Sequence, residues 1–242
     1  MKALVFAAGL GTRLMPLTSS RPKALVEVEG KPLLYHVLTK LQNSGIKDIT
    51  VNVHHFPDMI ISYLEEHFPG VKVSDERDCL LETGGGILRA RPFLDGDSFL
   101  VHNVDILSSL DLGSIPLRPG ALATLVVSSR ETSRYLLFDG DMRLVGWTNI
   151  STGEVRSPWP ILDASRCRKL AFSGIHLIDK GIFGAFTSLG FSGRFPIMDF
   201  YLAACRDYPI YGYEPSSLEL LDVGKPDTLD IANKYGRIKG II

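Results

Sequence analysis

Residues 3–16, Ala-Leu-Val-Phe-Ala-Ala-Gly-Leu-Gly-Thr-Arg-Leu-Met-Pro, join a short run of apolar residues to a glycine-rich segment. A continuous apolar run of this length, ending at glycine, is typical of a fully buried strand that leads into a loop. Glycines directly after such a strand let the backbone pass close to a ligand, with free N–H groups that favour phosphate. Arg13 adds a planar, permanently charged group that matches phosphate oxygens. The segment therefore predicts a phosphate-binding loop after a buried first strand.

This loop matches neither of two well-known phosphate-binding patterns. It lacks the sequence G-x-x-x-x-G-K-[ST], and residues 9–14 have Leu14 where a dinucleotide fingerprint has its third glycine. Lys23 follows ten residues after Arg13, directly after Pro22, and is a second cation for the same phosphates. On these residues alone, a glycine-rich turn with a solvated Arg13 remains the alternative.

Strands and helices alternate after the loop. Apolar periodicity predicts helices at 32–44, 57–68 and 83–90, and strands at 49–53, 71–73 and 99–101. Alternation at this spacing is typical of right-handed βαβ units with helices on both faces of a sheet. We therefore expect an α/β fold, a Rossmann-like three-layer αβα sandwich with a mixed, mostly parallel sheet.

After about residue 120 the pattern changes. Strands are predicted at 121–128, 135–138, 144–147 and 172–178, and helices at 180–188 and 197–205. The turn Asp139-Gly140-Asp141 between two of these strands indicates a hairpin. We expect these antiparallel pieces to join the same sheet, so that residues 1–242 form a single domain.

Composition excludes several classes of protein. The 242 residues are 45% hydrophobic, and 26 Lys and Arg against 27 Asp and Glu give a net charge of -1, which argues against a nucleic-acid binder. The chain has no apolar run of the roughly 18–20 residues that a membrane span needs. Three widely spaced cysteines without a CxxC argue against a disulfide framework or a zinc site. Because the start does not read as a signal peptide, we expect a cytoplasmic protein.

The stretch from Gly9 to Leu25 resembles the signature GxGTRxxPxTxxxPKxL of sugar-1-phosphate nucleotidylyltransferases at every fixed position. Four further segments resemble motifs of this family and follow in the same order along the chain: 82–87 (Glu-Thr-Gly-Gly-Gly-Ile), 103–105 (Asn-Val-Asp), 172–175 (Phe-Ser-Gly-Ile) and 222–226 (Asp-Val-Gly-Lys-Pro). The first of these four resembles the branch of muramate-1-phosphate uridylyltransferases and mannose-1-phosphate guanylyltransferase-like enzymes. The resemblance covers nearly the whole chain and implies the nucleotide-diphospho-sugar transferase fold.

The resemblance implies an enzyme that joins a nucleoside triphosphate to a sugar 1-phosphate and releases pyrophosphate. It implies catalytic roles for Arg13, at the leaving phosphates, and Lys23, at the α-phosphate and the sugar phosphate. It also implies that Asp105 and Asp222 bind Mg²⁺, an ion that takes few protein ligands and completes its shell with substrate oxygens and water. The other positions that it assigns are nucleotide contacts at Ala7, Ala8, Gly9, Gly11, Thr12, Ser74, Leu81 and Gly85, and sugar contacts at Glu82, Asn103, Ser173 and Gly174. The nucleotide-binding half then covers about 1–115 and the sugar-binding half about 116–242.

The chain departs from the family pattern at two positions. Val104 stands where glycine is frequent, and Lys225 stands where threonine is common. The substrates therefore stay open: we expect UTP with an N-acetylmuramate or hexosamine-type 1-phosphate first. The alternatives are GTP with mannose or heptose 1-phosphate, CTP with phosphocholine, and a catalytically silent regulatory protein that binds nucleotide sugars. Either a monomer or a homodimer fits this sequence.

Overall fold

A computed structural model describes residues 1–235 and 240–242 of the chain. Its strands, numbered in chain order, are β1 (Lys2–Phe6), β2 (Glu27–Val28), β3 (Lys31–Pro32), β4 (Asp48–Val53), β5 (Lys72–Asp75), β6 (Phe99–Asn103), β7 (Ile106–Ser108), β8 (Ala123–Ser128), β9 (Arg134–Phe138), β10 (Leu144–Asn149), β11 (Glu154–Arg156), β12 (Arg168–Ile178), β13 (Ile210–Tyr213) and β14 (Leu220–Asp222). Its α-helices are α1 (Leu33–Asn43), α2 (Pro57–His67), α3 (Glu82–Arg89), α4 (Arg91–Leu94), α5 (Ile182–Ser188), α6 (Ile197–Ala204) and α7 (Pro226–Tyr235).

The first part of the central sheet is parallel. Strand β1 pairs in parallel with β4 on one side and with β6 on the other, and β4 pairs in parallel with β5. Phe6, at the carboxyl end of β1, is opposite Asn52 of β4 and Asn103 of β6. Because parallel strands end at the same edge, the loops that follow them gather there, which is where α/β sheets bind ligands.

Strand β12 joins the two parts of the sheet. It pairs antiparallel with β6, β8 and β9, while β10 and β11 continue the sheet beyond β9 and β13 lies parallel to β8. The strand predicted at 172–178 is longer than expected, since it begins at Arg168. Its register shifts between Phe172 and His176, a segment in which Gly174 has a φ of 74° that favours glycine.

Helices cover both faces of this sheet. Alternate residues of β1 point to opposite faces, so Ala3 and Val5 join one core while Leu4 joins the other. Helices α1 and α2 pack in the first core, and α3, α5 and α6 pack in the second. The predicted α/β sandwich with a mixed sheet is therefore confirmed.

One small sheet was absent from the sequence prediction and proves important for the site. Strand β14 pairs antiparallel with β7, which follows β6 almost directly. Three residues are too few to show an apolar period, so the sequence pattern missed both strands. Within the ranges 1–235 and 240–242, every helix is too short or too polar to cross a lipid bilayer.

Candidate active site

The loop after β1 is held open by contacts from two other segments. The backbone N–H of Ala7 donates to Oδ1 of Asn52 at 2.8 Å, and the Thr18 hydroxyl donates to the carbonyl oxygen of Gly11 at 2.9 Å. Gly11 has a φ of 67°, and a Cβ there would lie 2.9 Å from the Thr18 methyl group. Gly9 and Thr12 are exposed. The loop thus has the conformation that glycine allows, with its backbone open to a ligand.

Four charged side chains converge where this loop meets the end of β6. They are Arg13, Lys23, Asp105 and Asp222, which we call the charged cluster. Lys23 and Asp105 form an ion pair in which only 14% and 12% of the two side chains are exposed. The Arg13 guanidinium lies 3.9 Å from Asp105 and 3.8 Å from Asp222. Two cations and two carboxylates from four separate segments therefore meet at one point.

The small β7–β14 sheet brings Asp222 to this cluster. Asp222 is opposite Ile106 in the pairing, and the Val223 N–H donates to the Asp105 carbonyl oxygen at 2.9 Å. A Cβ on Gly224 would lie 2.8 Å from the Asp222 carboxylate and 3.0 Å from the Asp105 carboxylate. The nearest atom to that Cβ would be Nη2 of Arg13, at 2.5 Å, so glycine at 224 leaves room for the Arg13 guanidinium beside the two carboxylates.

The chemistry of these two carboxylates fits a magnesium ion. Mg²⁺ takes one or two protein carboxylates and completes its shell with water and substrate phosphates. Within the described ranges, no group of three or more His, Cys, Asp or Glu side chains is arranged to hold a metal. A pair of carboxylates beside an open glycine-rich loop matches the small donor set of Mg²⁺ and does not match a closed zinc site.

A cavity of about 240 Å³ adjoins the cluster on the side of β1 and β4. We call it the first cavity; its walls come from Phe6, Ala7, Ala8, Gly9, Lys23, Asn52, Glu76, Leu80, Glu82, Thr83, Asn103, Val104 and Asp105. Several positions expected from the resemblance thus share one cavity. Val104, one of the two departures, is 4% exposed, and its N–H donates to the Phe6 carbonyl oxygen at 3.1 Å.

Asn52 and Glu76 are polar residues of this cavity that the motif comparison missed. The Asn52 amide donates to Oε1 of Glu76 at 2.8 Å while its Oδ1 accepts from Ala7, so it links Glu76 to the loop. Burial raises the pKa of the Glu76 carboxyl above its usual value, and the hydrogen bond from Asn52 opposes this rise. Asn52 lies near the carboxyl end of a predicted strand, where a polar residue in an apolar run was the available sign, while Glu76 stands among polar residues and gives no such sign.

The glycines of α3 serve close packing against residues 193–197. The N–H groups of Gly84 and Gly85 donate to the Phe195 carbonyl oxygen at 2.9 and 3.2 Å, so these amides are not free for a ligand. A Cβ on Gly85 would overlap the carbonyl oxygen of Gly193. Glu82 pairs with Arg194 at 2.9 Å. The start of α3 is thereby fixed beside the first cavity.

Seven of the predicted nucleotide and sugar contacts, leaving the charged cluster aside, lie outside the walls of the first cavity as the described residues form it: Gly11, Thr12, Ser74, Leu81, Gly85, Ser173 and Gly174. Ser74 and Ser173 are 3% and 1% exposed, and their hydroxyls have no hydrogen-bond partner among the described residues. Gly85 is buried against Gly193, and Leu81 flanks the wall residues Leu80 and Glu82. Motif position therefore does not by itself place a side chain on the surface of the site.

Asn103 and Gly174 lie together at the junction of β6 and β12. A Cβ on Gly174 would lie 2.7 Å from the Asn103 amide nitrogen, so glycine at 174 leaves room for that side chain. The neighbouring His102 is buried, with Nδ1 lying 2.8 Å from the Asn103 carbonyl oxygen, and burial lowers its pKa to about 4. A neutral imidazole at this depth packs the sheet and does not join the charged cluster.

A second cavity, of about 340 Å³, adjoins the cluster on the side of β9, β10 and β12. We call it the cationic cavity; its walls come from Arg13, Arg130, Thr132, Arg134, Leu136, Trp147, Phe172, Met198, Asp222 and Lys225. Lys225, the second departure, therefore contributes a positive charge here. Arg13 and Asp222 border this cavity, while their partners Lys23 and Asp105 border the first one.

Comparison with known proteins identifies the family. The family model for nucleotidyl transferases matches residues 2–115. The chain is 33% identical over 236 residues to the N-acetylmuramate alpha-1-phosphate uridylyltransferase of Caulobacter vibrioides, which covers 93% of this chain and 92% of that protein. It is 36% identical over 143 residues to the mannose-1-phosphate guanylyltransferase catalytic subunit beta of Dictyostelium discoideum, covering 56% of this chain and 40% of that protein.

Solved structures of other transferases have a similar fold. The inositol-1-phosphate CTP transferase from T. maritima superposes with a TM-score of 0.77 over 98% of this chain and 96% of that one, at 16% identity. Identity this low shows the fold alone. The full-length match at 33% identity carries more weight, and it confirms the family that the Gly9–Leu25 signature predicted. The chain belongs to the nucleotidyl transferase family of enzymes.

Proposed function

We propose that this enzyme joins a nucleoside triphosphate to a sugar 1-phosphate, giving a nucleoside-diphosphate sugar and pyrophosphate. The observation that carries the proposal is the charged cluster between two cavities. Arg13, Lys23, Asp105 and Asp222 are side chains that a reaction between two phosphate-bearing substrates requires, and each cavity is available to one substrate.

The reaction needs positive charge and alignment more than proton transfer. An oxygen of the sugar phosphate attacks the α-phosphorus of the nucleotide and forms a new P–O bond. The bond from that phosphorus to the oxygen bridging the α- and β-phosphates breaks, and pyrophosphate leaves with the electron pair. Because both reactants are anions, the protein must hold them in line and neutralise charge as it moves to the leaving group.

The cluster supports a division of these tasks. The open loop at Gly9 and Gly11 binds the triphosphate through backbone N–H groups, and Arg13 neutralises the phosphates that leave. Lys23 holds the α-phosphate and the incoming sugar phosphate. Asp105 pairs with Lys23 and so keeps the Lys23 ammonium in place, with little of its side chain exposed.

We further propose Mg²⁺ as the cofactor, held by Asp105 and Asp222. When bound, the ion supplies positive charge at the phosphate oxygens and helps to orient them. Arg13 pairs with both carboxylates and so holds them close together.

The first candidate pair of substrates is UTP with N-acetylmuramate 1-phosphate or a related hexosamine 1-phosphate. The name of the full-length Caulobacter relative supports this pair. The name of the Dictyostelium relative, which matches over 56% of this chain, supports GTP with mannose 1-phosphate as a second candidate.

The direct test is pyrophosphate release with Mg²⁺, over a grid of the four nucleoside triphosphates against a panel of sugar 1-phosphates and phosphocholine. We expect release that requires both substrates and is strong for one matched pair. Absence of release from folded protein with every pair would overturn the transferase proposal. Thermal-shift titration with the same nucleotides would then show whether the chain is a silent binder.

A further inference from the structure

The cationic cavity has more positive charge than its one wall carboxylate can balance. Its described walls hold Arg13, Arg130, Arg134 and Lys225 against Asp222. Asp222 lies 3.8 Å from Arg13, so its charge is already shared with that residue. A concave surface with several charges of one sign concentrates its potential and attracts an ion of the opposite sign.

Arg130, Arg134 and Lys225 have no carboxylate partner in the described part of the chain. The Arg130 guanidinium donates only to the Phe172 carbonyl oxygen, at 3.3 Å. The side chains of Arg134 and Lys225 have no ion pair or hydrogen bond with any described residue. Exposed arginines elsewhere are commonly paired, as Arg156 is with Asp199 at 2.8 Å and Arg168 is with Glu214 at 2.6 Å. The three unpaired cations come from the β8–β9 loop, β9 and the segment before α7, so the fold and not one sequence run gathers them.

The position of this cavity fixes which part of a substrate it meets. It borders the cluster at Arg13 and Asp222, whereas the first cavity borders it at Lys23 and Asp105. An acceptor whose 1-phosphate lies at the cluster therefore extends into the cationic cavity. The half-buried aromatic side chains of Trp147 and Phe172 line the same space and offer an apolar surface to a sugar ring. Since the 1-phosphate is already neutralised at the cluster, the three further cations face the remainder of the sugar.

We propose that the acceptor carries a second anionic group, a carboxylate on the sugar, and that Arg130 and Arg134 bind it. Guanidinium groups match a carboxylate with two parallel hydrogen bonds, and Lys225 adds positive potential without a fixed geometry. The inference rests on the proposed transferase function and narrows it to acidic sugar 1-phosphates. An acceptor with a positive charge, such as phosphocholine, is repelled by the same residues.

Acceptors that differ only in the carboxylate test this directly. The first pair is N-acetylmuramate 1-phosphate and its lactyl carboxamide analogue, and the second is glucuronate 1-phosphate and glucose 1-phosphate. The reactions use the nucleotide that gives the highest rate. In at least one of the two pairs, we expect kcat/KM for the acidic acceptor to exceed that for the neutral acceptor by about 10- to 100-fold, the size of one charge-assisted interaction. Arg130→Gln and Arg134→Gln should each lower this ratio several-fold, mainly through KM for the acidic acceptor.

The neutral acceptors serve as the internal control for folding. Arg130→Gln and Arg134→Gln should lower kcat/KM for the carboxamide or glucose acceptor much less than for the acidic member of the same pair, and Arg206→Gln, at an exposed arginine beyond α6, should leave both values unchanged. Equal kcat/KM for the acidic and neutral members of both pairs, or a preference that neither variant alters, would overturn the inference alone. A preference for an acceptor with a second phosphate over both carboxylates would overturn the choice of carboxylate. No pyrophosphate release with any acceptor would overturn the proposed function itself.

Discussion

Lys23 and Asp105 are 82 positions apart in the chain, and their side chains form an ion pair at the carboxyl edge of β1 and β6. Little of either side chain is exposed, so each charge depends on the other. Removal of one partner of a desolvated pair leaves the other charge uncompensated. The relationship therefore links stability and chemistry at one contact.

Loss of either cation of the cluster should reduce catalysis strongly. We expect Lys23→Ala and Arg13→Ala each to lower kcat/KM by about 10²- to 10⁴-fold, because each removes a charge that stabilises the transition state. Lys47→Ala is the control, since Lys47 is exposed and precedes β4 at the opposite edge of the sheet. Steady-state pyrophosphate release measures all three variants. A change of less than about threefold for Lys23→Ala or Arg13→Ala would remove that residue from the catalytic role.

The two cluster carboxylates should control the requirement for metal. Asp105→Asn and Asp222→Asn each remove one negative charge from the proposed Mg²⁺ site, so the Mg²⁺ concentration for half-maximal activity should rise by about tenfold or more. Activity titrated against Mg²⁺ is the measurement. Asp97→Asn, at an exposed position in the turn before β6, should need the same Mg²⁺ concentration for half-maximal activity as the unaltered chain. An unshifted titration for either cluster variant would exclude that carboxylate as a ligand.

Two glycine-to-alanine substitutions in helices should have opposite effects on stability. A Cβ at Gly85 of α3 overlaps the backbone oxygen of Gly193, so Gly85→Ala should lower the free energy of unfolding by about 1–3 kcal/mol. Gly184 of α5 is exposed, and a Cβ there meets no atom within 4 Å. Gly184→Ala should therefore raise the free energy of unfolding by about 0.5–1 kcal/mol. Urea unfolding measures both, and equal effects would contradict the packing of α3 on residue 193.

Two buried histidines should make the protein less stable in mild acid. Burial lowers the pKa of His102 to about 4 and that of His176 to about 3, from a usual 6.5. As the pH falls below about 6.5, the unfolded chain takes up these protons before the folded chain does. For each histidine, the free energy of unfolding should therefore fall by up to about 1.4 kcal/mol for each pH unit that the pH is lowered from 6.5 to the folded pKa. Above pH 6.5 neither state takes up this proton, so stability does not change with the titration of these histidines.

Urea unfolding at pH 7 and pH 5 tests this slope. His176 also lies 2.6 Å from the Tyr201 hydroxyl, so His176→Gln lowers stability at both pH values. The informative quantity is the difference between the two pH values, which should be smaller in His176→Gln than in the unaltered chain. His67→Gln, at a half-exposed side chain, should keep the full difference. If the free energy of unfolding falls by the same amount between pH 7 and pH 5 in the unaltered chain, His176→Gln and His67→Gln, then His176 does not titrate as its burial requires.

Local patterns in the sequence were sufficient for most helices and strands. The predicted helices at 32–44, 57–68, 83–90, 180–188 and 197–205 are present, with no end shifted by more than two residues. Each has an apolar stripe or a clear start and stop, which are properties of neighbouring residues. Short strands such as β7, β13 and β14 lack such a period and were missed. Their positions depend on the partner strand.

The sequence by itself determined the α/β class, the family and the identity of the four charged residues, because burial period, glycine at a turn and motif spacing are local properties. Only the tertiary structure decided that β14 brings Asp222 beside Asp105, that Gly84 and Gly85 serve packing against residues 193–195, and that Ser173 is buried. It also decided that Arg130, Arg134 and Lys225 line one cavity. These relationships join residues from distant parts of the chain. Side-chain packing across the sheet sets them, and no local pattern of residue types records which distant surfaces will meet.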